Sequence, residues 1–297
     1  MKKNYKLTIS YDGSRYYGWE HQKSTAMTIQ GKLEAVLTAM LSGGVPDEGV
    51  PADADGAAKS PANGAAKPSA AKSPADHAAA RFASAAVDVI GAGRTDAGVH
   101  AKAMTASVQL DTPLSEAEIR DYLNRYLPDD IGVTDVRTAR DRFHARYSAV
   151  GKTYCYSCWI GENKPVFERK YLLVLEKTPD LARMQEAAAL LTGTHDYKSF
   201  CGNPRMKKST VRELYSVDFE EDAEHLRIFY HGEGFLQYLV RILTGTLIEV
   251  GLHRRDPATI PQLLAGGKRA DAGFTAPAKG LCLIKVDYNR DGMDSTG

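Results

Sequence analysis

Apolar and polar positions along the first half of the chain follow two periods, one typical of strands and one typical of helices. Alternating apolar and polar residues predict strands, and apolar residues three or four positions apart predict helices. Thr28 is suited to cap the first helix, and Ser115 with Glu118 forms a capping box at the second. In chain order, the pattern predicts a strand at 6–11, a helix over 29–40, strands at 86–91 and 104–110, a helix over 116–126 and a strand at 131–136.

The second half repeats this order of elements and adds one helix. The pattern predicts a strand at 153–160, a helix over 180–192, strands at 211–219 and 226–230, a helix over 235–250, a shorter helix opening at 256–257 and a last strand at 281–288. Both halves therefore have the order β-α-β-β-α-β, which is ferredoxin-like. We expect an α+β fold of two ferredoxin-like halves, 1–148 and 149–290, with antiparallel sheets side by side and a central active-site cleft.

One internal segment and the last residues do not follow this pattern. Residues 51–86 contain 16 alanines and four prolines, and Phe82 is their only large apolar residue. Such a segment buries too little apolar surface to offset the entropy lost when the chain is ordered, and its prolines interrupt any long helix. We expect a disordered insertion at about 45–85 in the N-terminal half and a frayed tail at 291–297.

Length, charge and cysteine content narrow the class of protein. No run in the 297 residues approaches the roughly 18 apolar residues of a membrane span, and the first residues lack a signal peptide's apolar region. Four cysteines form no disulfide framework in a chain of this length. We therefore expect a cytoplasmic protein without a membrane partner. The net charge of +1 excludes a wholly basic protein but is compatible with a local basic cleft.

The segment with the most chemistry is 91–100, Gly-Ala-Gly-Arg-Thr-Asp-Ala-Gly-Val-His. Two glycines after a strand are typical of a dinucleotide-binding turn, and Asp111 stands near the place of the ribose-binding acid. However, the connection to the next strand is too short for a crossover helix, and Asp96 would face the pyrophosphate. The alternative is a loop between antiparallel strands, whose glycines let the backbone bend sharply and approach a ligand closely.

Within this loop, Arg94 and Asp96 are two positions apart, so in an extended stretch their side chains point the same way. A guanidinium beside the carboxylate would keep it ionised. Most pairs of this kind are structural or solvated ion pairs. The other possibility is that Asp96 is a catalytic carboxylate.

The flanking residues favour the catalytic interpretation, because Gly93–His100 resembles, residue for residue, the catalytic motif of the tRNA pseudouridine synthase A (TruA) family. The resemblance extends over nearly the whole chain. The further matching segments are Tyr-Asp-Gly-Ser-Arg-Tyr-Tyr-Gly-Trp at 11–19, Phe-His-Ala-Arg-Tyr-Ser-Ala at 143–149, Lys-Thr-Tyr-Cys-Tyr at 152–156, Gly-Phe-Leu-Gln-Tyr-Leu-Val-Arg at 234–241 with Gly245 and 249–251, and Gly-Leu-Cys-Leu-Ile-Lys-Val-Asp-Tyr at 280–288.

The resemblance implies roles for the residues at the matching positions. Asp96 stands at the catalytic aspartate, and Tyr154 at the tyrosine that stacks on the target uracil. Arg241 stands at the arginine paired with the aspartate, and Arg94 at the arginine that helps to hold the RNA with its base flipped out. Taken without the family, Tyr154 would be an ordinary sheet aromatic and Arg241 an extended side chain at a helix edge.

Other candidate site residues carry weaker signals. Leu281 or Leu283 would supply an apolar wall of the substrate site, and the sequence does not decide between them. His100 belongs to the motif, and we assign it a supporting place in substrate binding. Cys155 and Cys158 form a C-x-x-C, but residues three apart on a strand point to opposite faces, which favours two buried cysteines over a zinc or thiol site.

The implied activity is the isomerisation of uridine to pseudouridine in the tRNA anticodon stem-loop, at positions 38 to 40. The resemblance implies no metal and no other cofactor, and it implies a homodimer with tRNA as its partner. An alternative in another class is a catalytically idle RNA-binding protein on the same fold, and a third is a dinucleotide-binding oxidoreductase. The sequence does not show which uridines and tRNAs are modified, what the insertion does, or whether Asp96 attacks C1′ or removes a sugar proton.

Charged residues add two observations that bear on an RNA ligand. Each basic cluster alone is typical of a solvated face, but several together are typical of phosphate binding. Residues 20–22 read Glu-His-Gln where the family commonly has Gln-Arg-Gln, so His21 stands in place of the usual arginine. The basic clusters are Arg137, Arg140, Arg142 and Arg146 with His144, then Arg205, Lys207, Lys208 and Arg212, and then His253, Arg254 and Arg255.

Overall fold

The computed structural model describes residues 2–44, 46, 87–203 and 205–289. The disordered insertion predicted at about 45–85 lies outside these residues except for Pro46, and the frayed tail predicted at 291–297 lies outside them entirely. Both stay predictions, as does the division into domains at residue 148.

Ten strands in the described ranges form a single sheet. They are β1 (Lys3–Tyr11), β2 (Ile90–Gly91), β3 (His100–Leu110), β4 (Ile131–Ala139), β5 (Ala149–Trp159), β6 (Leu173–Val174), β7 (Gly193–Asp196), β8 (Val211–Glu221), β9 (His225–Gly232) and β10 (Leu281–Tyr288). Their order across the sheet is β4-β1-β3-β10-β5-β9-β8-β7, with β2 paired to β3 and β6 paired to β5.

Five α-helices lie in the same described part of the chain, which confirms the mixed α+β class. They are α1 (Ile29–Leu41), α2 (Glu116–Tyr126), α3 (Leu181–Leu191), α4 (Leu239–Gly251) and α5 (Ile260–Leu264). The predicted caps are present: the Thr28 hydroxyl accepts from the Gly31 N–H at 3.2 Å, and Ser115 and Glu118 cap each other reciprocally. No described helix is long and apolar enough to cross a membrane.

The two halves of the chain contribute strands in the same relative order. In the N-terminal half, the fourth, first, third and second strands lie side by side as β4-β1-β3-β2. The C-terminal half has the same order, β10-β5-β9-β8, when the short strands β6 and β7 are left out of the count. Buried apolar residues from both halves, such as Leu7 and Ile228, belong to one core cluster. The assignment of each half to the ferredoxin-like class stays a prediction.

The halves meet through β3 and β10, which pair in parallel at Cys282 with His100 and at Leu283 with Ala101. At this junction one parallel pair joins the antiparallel strands of the two halves into a continuous sheet. Both strands begin at the junction, so the loop before His100 and the turn before Leu281 come together at its end. This edge is where the candidate site lies.

Several elements differ from their predicted bounds for local reasons. α4 begins at Leu239 and not at residue 235, because Tyr238 has a φ of 61°, a left-handed conformation that no helix continues. β2 is only Ile90–Gly91, and β6 and β7 were not predicted. β2 and β3 pair antiparallel, which rules out the parallel crossover that a dinucleotide-binding turn requires.

Candidate active site

The loop that carries Asp96 is supported from behind by the N-terminal motif at 11–19. The Tyr11 and Thr95 hydroxyls are 2.8 Å apart, and the backbone N–H of Trp19 donates to the Thr95 carbonyl at 3.1 Å. Gly18 has a φ of +100°, and a Cβ there would lie 2.6 Å from the Thr95 oxygen. Only glycine allows this approach. The motif at 11–19 therefore holds the backbone next to Asp96 in place.

Arg241, in the first turn of α4, faces Asp96 across the cleft. Its Nη1 lies 3.3 Å from the Asp96 Oδ2, and the two side chains are 15% and 23% exposed. Its Nε donates to the Ala276 carbonyl at 2.7 Å, and its guanidinium lies 4.8 Å from the centre of the Tyr238 ring. The hydrogen bond to Ala276 and the contact with the Tyr238 ring together fix the orientation of the guanidinium toward Asp96.

The Asp96 carboxyl has a pKa above its ordinary value. Burial raises the pKa of this carboxyl above its ordinary value, and the charge and hydrogen bond of Arg241 oppose that rise without cancelling it. The sequence placed Arg94 beside this carboxylate, whereas in the structure Arg241 is the arginine that pairs with it. A carboxylate shielded from water in this way is a stronger base and nucleophile than an exposed one.

Arg94 pairs with a different acid from the one that its spacing suggests. Its Nη2 makes an ion pair with the Glu20 Oε1, and the two side chains are 59% and 45% exposed. Both residues line the same cleft as Asp96. Glu20 is the first of the two residues within 20–22 at which the chain departs from the family pattern, so the departure places a carboxylate on the motif arginine.

Tyr154 lies in β5 and forms part of the cleft wall. The Phe235 ring meets it edge-on, with centroids 5.2 Å apart and planes at 84°. Burial and the charge of Asp96 raise the pKa of the Tyr154 hydroxyl, so it stays protonated at neutral pH. The side chain is 7% exposed, and its packing against Phe235 holds the ring in one position.

Of the remaining predicted site residues, one lines the cleft and two do not. Leu281 lines the cleft with Asp96, whereas Leu283 is fully buried and does not line it. His100 is also buried: the Gly13 N–H donates to its Nδ1 at 3.0 Å, and its Nε2 lies 3.2 Å from the Lys279 carbonyl oxygen. These contacts place His100 behind the loop, where it links three segments without facing the cleft.

The cleft has a volume of about 850 Å³ and is lined on one side by basic side chains. The second predicted basic cluster contributes all four of its members to this wall, namely Arg205, Lys207, Lys208 and Arg212. The first cluster contributes Arg146, and the third contributes none of its members. In the third cluster, Arg255 pairs with Glu249 at 2.9 Å.

Sequence reasoning missed Lys152 as a separate residue of the cleft wall. The sequence did contain a signal for Lys152: it precedes Tyr154 by two positions on a strand, so the two side chains lie on the same face of that strand. Burial, reinforced by Arg146 and Arg212, lowers the pKa of the Lys152 ammonium to about 8. Phe235 was likewise assigned to a helix, although it lies before α4 and packs on Tyr154.

The C-x-x-C pair lies apart from this site. Cys155 and Cys158 are both buried. Burial raises the pKa of each thiol, for Cys158 to about 12, so neither is a reactive thiolate at neutral pH. Among the described residues, no three His, Cys, Asp or Glu side chains are grouped as metal ligands.

Comparison with known proteins gives a consistent result. The family model described as tRNA pseudouridine synthase matches residues 7–148 and 187–289. "tRNA pseudouridine synthase A 2" of Bacillus cereus (strain ZK / E33L) is 38% identical over 285 residues, covering 96% of this chain and 99% of that protein. "tRNA pseudouridine synthase A" of Syntrophotalea carbinolica is 35% identical over 95% of both chains, and "tRNA pseudouridine synthase A 1" of Clostridium tetani is 35% identical over 96% and 100%.

Proposed function

The chain belongs to the tRNA pseudouridine synthase family, and from this premise we propose that it isomerises uridine to pseudouridine in the anticodon stem-loop of tRNA, with Asp96 as the catalytic carboxylate. The reaction breaks the N1–C1′ bond, turns the uracil and joins C5 to C1′. A proton leaves C5 and another is gained at N1, so uridine is the only substrate that the reaction consumes.

The observation that carries the proposal is the pairing of Asp96 with Arg241 in a cleft that also holds Tyr154. A carboxylate is needed either to attack C1′ or to remove a sugar proton, and both routes start from the ionised form. Arg241 supplies the charge that favours this form, while burial keeps the carboxylate basic. The two routes place Asp96 against neighbouring atoms of the same ribose.

The cleft also suits a base that has left the RNA stack. Enzymes that act on a base extrude it into a pocket and stack it on an aromatic side chain. Tyr154 is the aromatic side chain in this cleft, Phe235 packs against its ring, and Leu281 adds an apolar contact. Arg94 lines the same cleft with an exposed side chain, which can hold the RNA while the base is out of the helix.

Several finer features of the proposal come from the family resemblance alone. These are the target positions 38 to 40 and the homodimer that holds one tRNA across both subunits, whereas the proposed cytoplasmic location rests on the cysteine content and the lack of a long apolar run. The basic wall formed by 205–212 supports a phosphate-rich ligand. The alternative of an idle RNA-binding protein on the same fold predicts the same binding without turnover.

Incubation of the purified chain with unmodified tRNA transcripts, followed by mapping of pseudouridine, tests the proposal. We expect pseudouridine at one or more of positions 38 to 40 and at no other uridine. Binding of the tRNA without any pseudouridine would favour the idle RNA-binding protein. Modification confined to another arm of the tRNA would keep the activity but refute the anticodon stem-loop as its location.

A further inference from the structure

The Lys152 ammonium lies at the point where β5 meets the catalytic loop. Lys152 and Tyr154 occupy the same face of β5, about 7 Å apart along the strand. A Cβ placed on Gly93 would lie 3.9 Å from the Lys152 Nζ and 4.0 Å from the Tyr154 hydroxyl oxygen. The ammonium, the tyrosine hydroxyl and the start of the loop that carries Asp96 therefore converge at one place in the cleft.

The charges that act most on Lys152 are positive. Arg146 and Arg212 line the same cleft, and both lower the pKa of the ammonium in the direction that burial already sets. Within the described part of the chain, no side chain or carbonyl makes a hydrogen bond or ion pair with the Lys152 Nζ. A half-buried cation beside two further cations is unfavourable unless an anion completes the group.

We propose that Lys152, together with Arg146 and Arg212, binds a backbone phosphate of the RNA next to the nucleotide whose base stacks on Tyr154. The inference rests on the proposed function, because the phosphate belongs to the RNA bound in the same cleft. Its effect is to fix the sugar of that nucleotide: the phosphates on either side are attached to its ribose, and holding one of them orients C1′ relative to Asp96. Lys152 is in this sense a positioning residue.

The chemistry of the group fits a phosphodiester better than a base. An ammonium and two guanidinium groups offer only donors and positive charge, and a phosphate offers the charged acceptor oxygens that match them. A uracil edge would leave most of these donors without partners. Lys207 and Lys208 lie in the same wall, but only Lys152 shares a strand face with the tyrosine platform.

The test combines variants with RNA that lacks one charge. Anticodon stem-loop RNAs with a single uncharged methylphosphonate linkage on either side of the target uridine are compared with native RNA. Affinities are measured for the wild-type chain, Lys152→Met, Lys152→Arg and the control Lys177→Met, an exposed lysine outside the cleft. We expect the wild type to lose about 10-fold in affinity at one of the two linkages. Lys152→Met should lose about the same on native RNA and nothing further at that linkage.

Lys152→Arg keeps the charge and should keep both the affinity and the sensitivity to the neutral linkage. Affinity falls as salt rises, and the slope of log affinity against log salt should become shallower by about 1 in Lys152→Met. The slope should stay unchanged in Lys177→Met. If Lys152→Met fails to fold, Lys152→Gln takes its place in the same comparison. The inference is overturned if the lysine variant is as sensitive to the neutral linkage as the wild type, or if it binds native RNA normally and loses only rate.

These outcomes are separable from failure of the proposed function. Turnover of native RNA by the wild type with no coupling between Lys152 and either linkage would refute the phosphate site alone. Binding and coupling without any pseudouridine would refute the activity and leave the phosphate site intact.

Discussion

The Arg241 Nη1 lies 3.3 Å from the Asp96 Oδ2, although 145 residues separate them along the chain. Asp96 comes from the loop before β3 in the N-terminal half, and Arg241 from α4 in the C-terminal half. The parallel pairing of β3 with β10 holds the two halves in the register that this contact needs. Neither half contains the complete site.

Replacing Arg241 by Met should shift the pH at which the enzyme loses activity. Arg241 lowers the pKa of Asp96, so its removal raises that pKa, and the carboxylate is protonated at a higher pH. We expect the acidic limb of the single-turnover rate against pH to move upward and the rate at neutral pH to fall. Arg255→Met, which breaks a partly buried ion pair outside the cleft, should leave the limb in place. An unmoved limb in Arg241→Met would show that Asp96 does not govern the rate.

Tyr154 variants separate a stacking role from a hydroxyl role. Tyr154→Phe keeps the ring and its packing on Phe235, so RNA affinity should match the wild type. Tyr154→Ala removes the platform, and stacking of one base is worth roughly 1–3 kcal/mol, so affinity should fall by about 10-fold. Affinity and single-turnover rate are measured for both variants. A Tyr154→Ala chain that binds as tightly as Tyr154→Phe would contradict stacking on this ring.

Glu20 should weaken RNA binding through its ion pair with Arg94. The pair is largely exposed, so it contributes little to stability, but the RNA must displace Glu20 to use the arginine. Glu20→Gln should therefore raise RNA affinity by about 2- to 5-fold at low salt, with a smaller gain at high salt. Glu162→Gln, an exposed acid outside the cleft, is the control. Equal affinity of Glu20→Gln and the wild type would indicate that Arg94 does not contact the RNA.

Local signals in the sequence predicted local structure well. The capping box at Ser115 and Glu118 is present in the structure because both partners lie within four residues of each other. The predicted start of α4 was wrong because Tyr238, which has a left-handed backbone conformation, lies inside an apolar run that has helical spacing. Nothing in that run signals the break, since the conformation depends on contacts with distant residues such as Gly202.

Long-range contacts were the part that composition and spacing could not supply. The pairing of Arg94 with Glu20 is invisible in a motif where Asp96 is the nearer acid. The parallel contact between β3 and β10 joins residues about 180 positions apart, and no periodicity encodes such a pairing. Lys152 was missed for a different reason: its position in the strand was readable, but its burial among cations required the folded cleft.

Single-turnover release of tritium from tRNA labelled at C5 of uridine shows whether Asp96 is the catalytic carboxylate. Asp96→Asn keeps the shape of the side chain but removes its charge and basicity. We expect the rate of tritium release to fall by more than about 1,000-fold, with tRNA affinity nearly unchanged because the basic wall is untouched. Asp121→Asn, which alters an exposed ion pair on α2, should release tritium at the wild-type rate. Release by Asp96→Asn at a rate near that of the wild type would contradict the assignment of Asp96 as the catalytic residue.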